Sequence, residues 1–327
     1  MKTILSLLLL SLTLYSHAQT TSPKNTTVGS VERLSDELDD LLDITQKPEV
    51  LAEGFKWTEG PVWVEKHQMV LFSDIPQDKV FKWTEQAGLE EYLFRAGYSG
   101  TEDGGREPGS NGLLLDKKGN LVLCQHGDRR LARMDAPLDK PEARFISIAS
   151  SFQGKRFNSP NDAVQHSNGD YYLTDPPYGL AKKENQELDF QGVYRVGKKG
   201  EVTLLIDSIN RPNGIALTQD EKHLLVGNSE GERPYLYAYE LDKQGNVKSG
   251  GIVFDFSPWG GGPDGFKVSK SGLIFSSGPG GIWILNANYK AIGRIRIPHA
   301  VSNCALSDDE KTLYITANHQ LVRVKLK

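Results

Sequence analysis

Six residues at near-regular spacing carry the chemistry that this sequence can offer. Glu59, Asn111, Asn161, Asn213, Asp264 and Asn303 are separated by 52, 50, 52, 51 and 39 positions. Each presents a carboxylate or amide oxygen, and none is His or Cys. Oxygen donors of mixed charge suit a hard divalent cation, and Ca²⁺ tolerates irregular numbers of them. The lack of imidazole and thiolate in the set speaks against a zinc site. Two carboxylates would neutralise one divalent cation, and the amides would add ligands without charge.

The elements that must position these residues are legible in the segments immediately C-terminal to them. Glu59-Gly-Pro leads into VWVEKHQMVLFSD, Asn111-Gly into LLLDKKGNLVLCQ, and Asn161-Asp162 into AVQHSNGDYYLTD. Asn213-Gly leads into IALTQDEKHLLVGN, Asp264-Gly into FKVSKSGLIFSS, and Asn303-Cys304 into ALSDDEKTLYITA. Every unit is a polar lead residue, a short apolar strand, a turn of Asp, Lys, Asn, Ser or Gly, and a second β-rich strand. A period of roughly 40–50 residues of short strands marks a propeller blade, which must stack on its neighbours to bury both faces. The expected fold is all-β: a six-bladed β-propeller of four-stranded antiparallel blades. The last unit reads one strand short, with ALS, LYIT and LVRVKL before Lys327. Val50 to Gly54 is a β-like segment ahead of the first unit. We expect it to supply the missing outer strand and close the ring, removing an exposed sheet edge.

In such a ring the six lead residues converge at one mouth of the central channel. The turns after the inner strands are short, whereas the connections at the other end are long and Gly-rich: 97–110, 175–190, 228–234 and 256–263. Elaborate loops around a polar ring on a rigid scaffold are where function is expected. No phosphate-cradling glycine motif and no Gly-x-Ser-x-Gly nucleophile elbow is present, so metal-assisted water chemistry fits better than a serine nucleophile.

Residues 1–18 read as a signal peptide, with Lys2, the apolar run ILSLLLLSLTLY and the small-x-small site Ser16-His17-Ala18. The run is too short to span a membrane. The mature protein is therefore expected in a periplasm or secreted. Residues 19–48 are expected to form a leader: a polar stretch to Asn25, then a short amphipathic helix over 31–44, with Val31, Leu34, Leu38, Leu41 and Leu42 on one face. The propeller is expected over 49–327. A net charge of −4 with interspersed signs gives no reason to expect nucleic acid or membrane partners. A self-closed ring is expected to be a monomer. Cys124 and Cys304 fall in blades that are not neighbours, which favours two buried free thiols over a disulfide.

The chain resembles the senescence-marker-protein/gluconolactonase/luciferin-regenerating-enzyme family. The matching pieces are Trp57-Thr-Glu59-Gly-Pro, Ser110-Asn-Gly, Gln125-His-Gly-Asp-Arg-Arg130, Lys155-Arg-Phe-Asn-Ser-Pro-Asn-Asp162, Thr174-Asp-Pro-Pro-Tyr-Gly179, Pro212-Asn-Gly214, Pro263-Asp-Gly265 and Ser302-Asn-Cys304. They span nearly the whole mature chain and look closest to the bacterial gluconolactonase branch. The resemblance implies a six-bladed propeller, a divalent cation, commonly Ca²⁺, at the channel mouth, and lactone hydrolysis. Mg²⁺, Mn²⁺ and Zn²⁺ remain alternatives. It implies metal ligation by Glu59, Asn213 and Asp264, joined by Asn161 as in related propeller lactonases, with Asp264 as the candidate base. Animal members carry an Arg two residues before the third-blade Asn. Here Ser159 stands there, so their substrate recognition does not transfer.

The chemistry implied is ester hydrolysis. The cation would polarise the lactone carbonyl, and a water oriented or deprotonated by Asp264 would attack it. A cation beside a carboxylate favours its charged form and weakens it as a base, so Asp264 is expected chiefly to orient the water. Asn111 and Asn303 are assigned to substrate contact. His126 either holds the substrate or shuttles a proton, or is a hydrogen-bonded structural histidine. Arg129 and Arg130 either bind a carboxylate product or tie down loops. Asp74 and Asp175 are read as partners of neighbouring groups, and Tyr178 and Trp259 as sugar-stacking or loop-anchoring rings. Two other functions stay open on the same scaffold: another metal-dependent ester or phosphotriester hydrolase, and a non-catalytic sugar-binding propeller.

Overall fold

The computed structural model describes residues 26–101, 104–180, 182 and 185–327. The signal-peptide reading over 1–18 and the polar leader to Asn25 lie outside the described residues. The fold is the expected six-bladed propeller of antiparallel sheets. Each inner strand touches the inner strands of the blades on either side, all the way round. The first blade runs outward through Thr58–Val64, Met69–Asp74, Lys79–Thr84 and Gly88–Phe94. The inner strands of the others are Ser110–Leu115, Ala163–Gln165, Pro212–Leu217, Phe266–Val268 and Val301–Leu306.

The second strand of each blade is covered on both faces by neighbouring sheets, so it cannot alternate between apolar and polar. Met69–Asp74 and Thr312–Ala317 are buried at every position. Outer strands such as Gly88–Phe94 regain exposed positions. The core is accordingly six wedges, one between each pair of blades. Val64, Leu71, Leu113 and Leu123 fill the first, while Leu225, Leu236, Phe266 and Trp283 fill the fourth-to-fifth wedge.

The sixth sheet draws on both ends of the described chain. Glu49–Glu53 pairs antiparallel with Gln320–Lys325 as its outer strand. The helix expected over 31–44 is not formed. Ser30–Arg33 is instead a fifth strand on the outer edge of blade five, paired with Ala291–Arg296, and Asp36–Asp40 is a short 3-10 turn capped by Ser35. Leu38 and Leu42, spaced like a helical pair, are both buried in the wedge between blades five and six. Each contributes about 1.5–3 kcal/mol by that burial. Leu34, expected on the same face, is exposed. Cys124 and Cys304 are free and buried.

Candidate active site

Five of the six lead residues are buried and Asp264 is half-buried, each at or just before the start of an inner strand. Each sits where the strand ladder is broken. Register slips between Glu59 and Val62, Ser110 and Leu113, Pro212 and Ile215, and Val301 and Asn303. In blades three and five the ladder begins two residues after Asn161 and Asp264. A bulge of this kind re-aims a side chain, here toward the channel.

The glycine after most lead residues is explained by what lies beside it. A Cβ on Gly60, at φ +52°, would sit 2.1 Å from the Asn111 carbonyl oxygen, and one on Gly214 would sit 2.3 Å from that of Asp264. The backbone of the next blade passes through that space. Every blade junction carries a hydrogen bond at this level. Ser73 Oγ donates to the Asn111 carbonyl (3.0 Å) and Thr174 Oγ1 to that of Asn213 (2.6 Å). Gly112 N donates to Asn161 (2.7 Å), Gly214 N to Asp264 (3.1 Å) and Gly265 N to Ser302 (2.7 Å). Ser302 Oγ donates to Thr58 (2.7 Å), completing the circle. The lead residues are thus fixed from one blade to the next.

Within the ring, Glu59 Oε2 accepts from Gly60 N at 2.8 Å and faces Asn303 Nδ2 at 3.4 Å. Burial raises the Glu59 pKa well above the ordinary value, and the nearby Asp264 charge adds to it. Burial and then the Asp162 charge raise Asp264 to about 7, against a hydrogen bond from Asn213. Asp162 is buried too, and Lys267 Nζ lies 3.6 Å from its Oδ2 and donates to Asn303 Oδ1 at 3.2 Å. Three carboxylates therefore share a space with one ammonium.

Sequence reasoning did not assign a role to Asp162 or Lys267, yet the repeat contains the signal. One residue after the lead, the units read Gly60, Gly112, Asp162, Gly214, Gly265 and Cys304; three after it, they read Val62, Leu114, Val164, Ala216, Lys267 and Leu306. Asp162 and Lys267 are the charged exceptions, and they meet each other.

The ring fits a hard cation. Among the described residues, Asp264 Oδ1 and Asn111 Oδ1 are buried oxygens without hydrogen-bond partners, which a folded protein rarely leaves unused. Among the described residues no three His, Cys, Asp or Glu converge as ligands. Glu59 and Asp264 would therefore need the amide oxygens of Asn161 and Asn213 to complete a shell, as an all-oxygen site allows.

The long loops gather over this mouth. Tyr178 reaches from blade three to blade four, where its hydroxyl interacts with the side chains of Ser229 and Asn213; burial, then Asp264, pushes its pKa to about 12. Ser159 is committed to this loop, donating to the Pro176 carbonyl and accepting from Gly179 N. His126 has no exposed surface, and among the described residues neither ring nitrogen has a hydrogen-bond partner of regular geometry. Burial lowers its pKa to about 4, against a weaker interaction with the Glu107 backbone. Gly179 lies against its ring, and Glu107 Oε2 lies 4.0 Å from Nδ1.

Several other residues are occupied structurally. Arg129 Nε donates to the carbonyls of Phe157 and Asn158, and Arg130 binds Gln125 and Asp128. Asp74 accepts from Lys56 N and Trp57 N, and Asp175 accepts from Asn158 N. Trp259 packs on Phe254 and Trp283.

At the other end of the channel a cavity of about 570 Å³ is lined largely by apolar inner-strand residues such as Val62, Leu114, Ala216 and Leu306. Gln165 and Glu310 in its lining are spent on the backbone N–H groups of Lys117 and Lys270, so the chemistry belongs at the polar mouth.

The SMP-30/Gluconolactonase/LRE-like region matches residues 57–319. A gluconolactonase of Zymomonas mobilis subsp. mobilis is 36% identical over 315 residues, covering 92% of this chain and 87% of that protein. A pentonolactonase of Haloferax volcanii is 23% identical over 266 residues, covering 79% of this chain and 80% of its own. Among solved structures, a gluconolactonase from Xanthomonas campestris superposes with a TM-score of 0.81 at 27% identity, covering 93% of this chain and 99% of that one. With a match that takes in all six ring residues, the chain belongs to the SMP-30/gluconolactonase/LRE-like family.

Proposed function

We propose that the protein is a metal-dependent lactonase that hydrolyses a sugar lactone such as glucono-1,5-lactone. The observation that carries this reading is the Glu59–Asp264 pair in a ring of amides, with Asp264 Oδ1 left without a partner among the described residues. The gluconolactonase and pentonolactonase relatives support the reaction class. Glu59, Asn161, Asn213 and Asp264 would hold the cation, Ca²⁺ being the first choice for an all-oxygen set. When bound, the cation would supply Lewis-acid polarisation of the lactone carbonyl and stabilise the charge that develops there.

The chain's own residues divide the remaining work. Asp264 Oδ1 orients the attacking water and draws on its proton. Asn213 hydrogen-bonds to Asp264 and so helps to fix the direction of that oxygen. The sequence suggests substrate contact for both Asn111 and Asn303, but their circumstances differ. Asn303 is already engaged with Glu59, Lys267 and Cys304 N, whereas Asn111 Oδ1 is unpaired among the described residues. Asn111 is therefore the better placed to accept from a substrate hydroxyl, and Asn303 serves mainly to hold Glu59. The loops carrying Tyr178 and Glu107 cover the mouth and limit water around the reacting carbonyl. We further read the protein as exported and monomeric.

The test is hydrolysis of glucono-1,5-lactone followed by a pH indicator, with metal-stripped protein given Ca²⁺, Mg²⁺, Mn²⁺ or Zn²⁺. We expect metal-restored turnover, lost by at least about 10²-fold in Asp264→Ala, the scale of removing a group that stabilises the transition state. Tight Ca²⁺ binding without turnover under any metal would sink gluconolactone as the substrate.

A further inference from the structure

The described part of the loop between the first and second blades holds the carboxylate of Glu107 on tightly fixed backbone. Its ends are pinched together: a Cβ on Gly97 would lie 2.0 Å from the Gly109 carbonyl carbon. The base is tied down by Gly97 N donating to Asp78 Oδ1, Gly109 N to the Ile75 carbonyl, His126 N to Gly109, and Gly127 N to Pro108. Gly100, Gly104 and Gly127 all pack against the Tyr98 ring, closely enough that a Cβ on any of them would clash with it. Among the described residues, both ends of the loop are therefore fixed, and Glu107 stands two residues from the anchored Gly109.

What this loop presents is Glu107. Its side chain is mostly buried, yet among the described residues nothing donates a hydrogen bond to its carboxylate. Arg106 lies 3.9 Å away but is 92% exposed, so that pair is worth little. Blade two, which the loop enters, stands opposite blade five across the ring. The place of Glu107 at the mouth follows from contacts: Gly179, whose N–H donates to Ser159 Oγ two residues before Asn161, lies against the His126 ring, and Glu107 lies on that ring's Nδ1 side. Behind Glu107 lies His126, sealed by Gly179 and, among the described residues, with neither nitrogen in a regular hydrogen bond. With no exposed surface, His126 acts on a substrate only through Glu107.

We propose that Glu107 determines specificity at the lactonase site, accepting hydrogen bonds from the ring hydroxyls of a polyhydroxylated lactone whose carbonyl lies on the Asp264 side. His126 is a positioning residue that supports the Glu107 backbone from behind. This rests on the lactonase reading and adds the substrate's chemical class to it. A carboxylate is an acceptor only, and a polyol supplies adjacent donors. A lactone without hydroxyls would leave that carboxylate buried and unpaired, and such sites reject analogues that lack the bonding group.

Two measurements on the metal-loaded protein test it. The first compares kcat/KM for glucono-1,5-lactone and δ-valerolactone in the wild type, Glu107→Gln and Glu107→Ala. We expect the preference for the hydroxylated lactone to fall about 10–100-fold in Glu107→Ala, and less in Glu107→Gln, which keeps an acceptor. His126→Leu should lose part of the same preference at an unchanged melting temperature. The second is calorimetric titration with D-glucitol, a polyol with no ester, whose binding should weaken at least about tenfold in Glu107→Ala. A preference within threefold of wild type, or an unchanged glucitol affinity, overturns the proposal. If the wild type opens neither lactone, the lactonase reading falls, and the glucitol titration still decides Glu107. No glucitol binding by the wild type overturns it as well.

Discussion

Asp264 is held near neutrality because burial and the Asp162 charge both oppose its ionisation. Glu59 is raised by the same causes, with Asp264 itself among them. A cation needs both groups ionised, so protons and metal compete for the ring. Above about pH 7 Asp264 is ionised and ready, and below it a proton must leave first. We expect Ca²⁺ affinity to fall by about tenfold per pH unit as pH drops below 7, with proton release on binding. Calorimetry in buffers of different ionisation enthalpy checks this, and an affinity flat from pH 8 to 6 would contradict it. At this scale much of the site was legible, because six oxygen-bearing residues at one place in a repeat announce a ring. Glu107 was not, since nothing in a run of Gly, Ser, Asp and Glu tells which acid folds over the mouth. The burial of His126 was equally hidden, because it depends on Gly179, which lies in the loop after the next blade's second strand.

The Asn-Gly and Asp-Gly pairs illustrate how an element can be found for a partial reason. Such dipeptides commonly make turns, and here they open inner strands. Their glycines are required by the backbone of the next blade, a contact that no local pattern encodes. Gly60→Ala combines a left-handed φ with a 2.1 Å approach to a backbone oxygen that no rotamer change can relieve. We expect it to destabilise the fold by about 3 kcal/mol or more and to weaken metal binding by moving Glu59. Gly119→Ala is the matched comparison. Its φ is also positive, at +77°, but nothing lies within 4 Å of the added atom. It should cost only about 1 kcal/mol and leave metal affinity alone. Equal losses in chemical denaturation would remove the junction contact as the cause. The segment over 31–44 shows the opposite error. Its leucine spacing matched a helix, but the open edge of blade five offered Ser30–Arg33 a strand partner, and tertiary pairing outweighed a short helix's weak preference.

For the whole molecule, periodicity carried nearly all of the architecture, since each unit repeats the same strand lengths and must stack to bury them. What periodicity does not encode is which distant groups meet across the ring, as Asp162 of blade three and Lys267 of blade five do. The sixth sheet is the point at which the two ends of the ring are joined. Besides the strand pairing, Gln46 Nε2 donates to the Lys325 carbonyl at 2.8 Å, and Arg323 binds Glu49 at 2.8 Å. We expect a chain lacking residues 26–53 to expose the edge of Gln320–Lys325 and to aggregate or elute as higher oligomers on size exclusion. A monomer of normal stability would contradict that. The same junction has a consequence in time. Strand Glu49–Glu53 is synthesised about 270 residues ahead of its partner, Gln320–Lys325. Until Lys325 has left the ribosome, Val50, Leu51 and Ala52 have no sheet to join, whatever the other five blades have done. Contacts of such long sequence separation form late and slowly. The step that closes this ring is therefore a meeting of strands made far apart in time, and the interval before it is when the chain most needs protection from other chains.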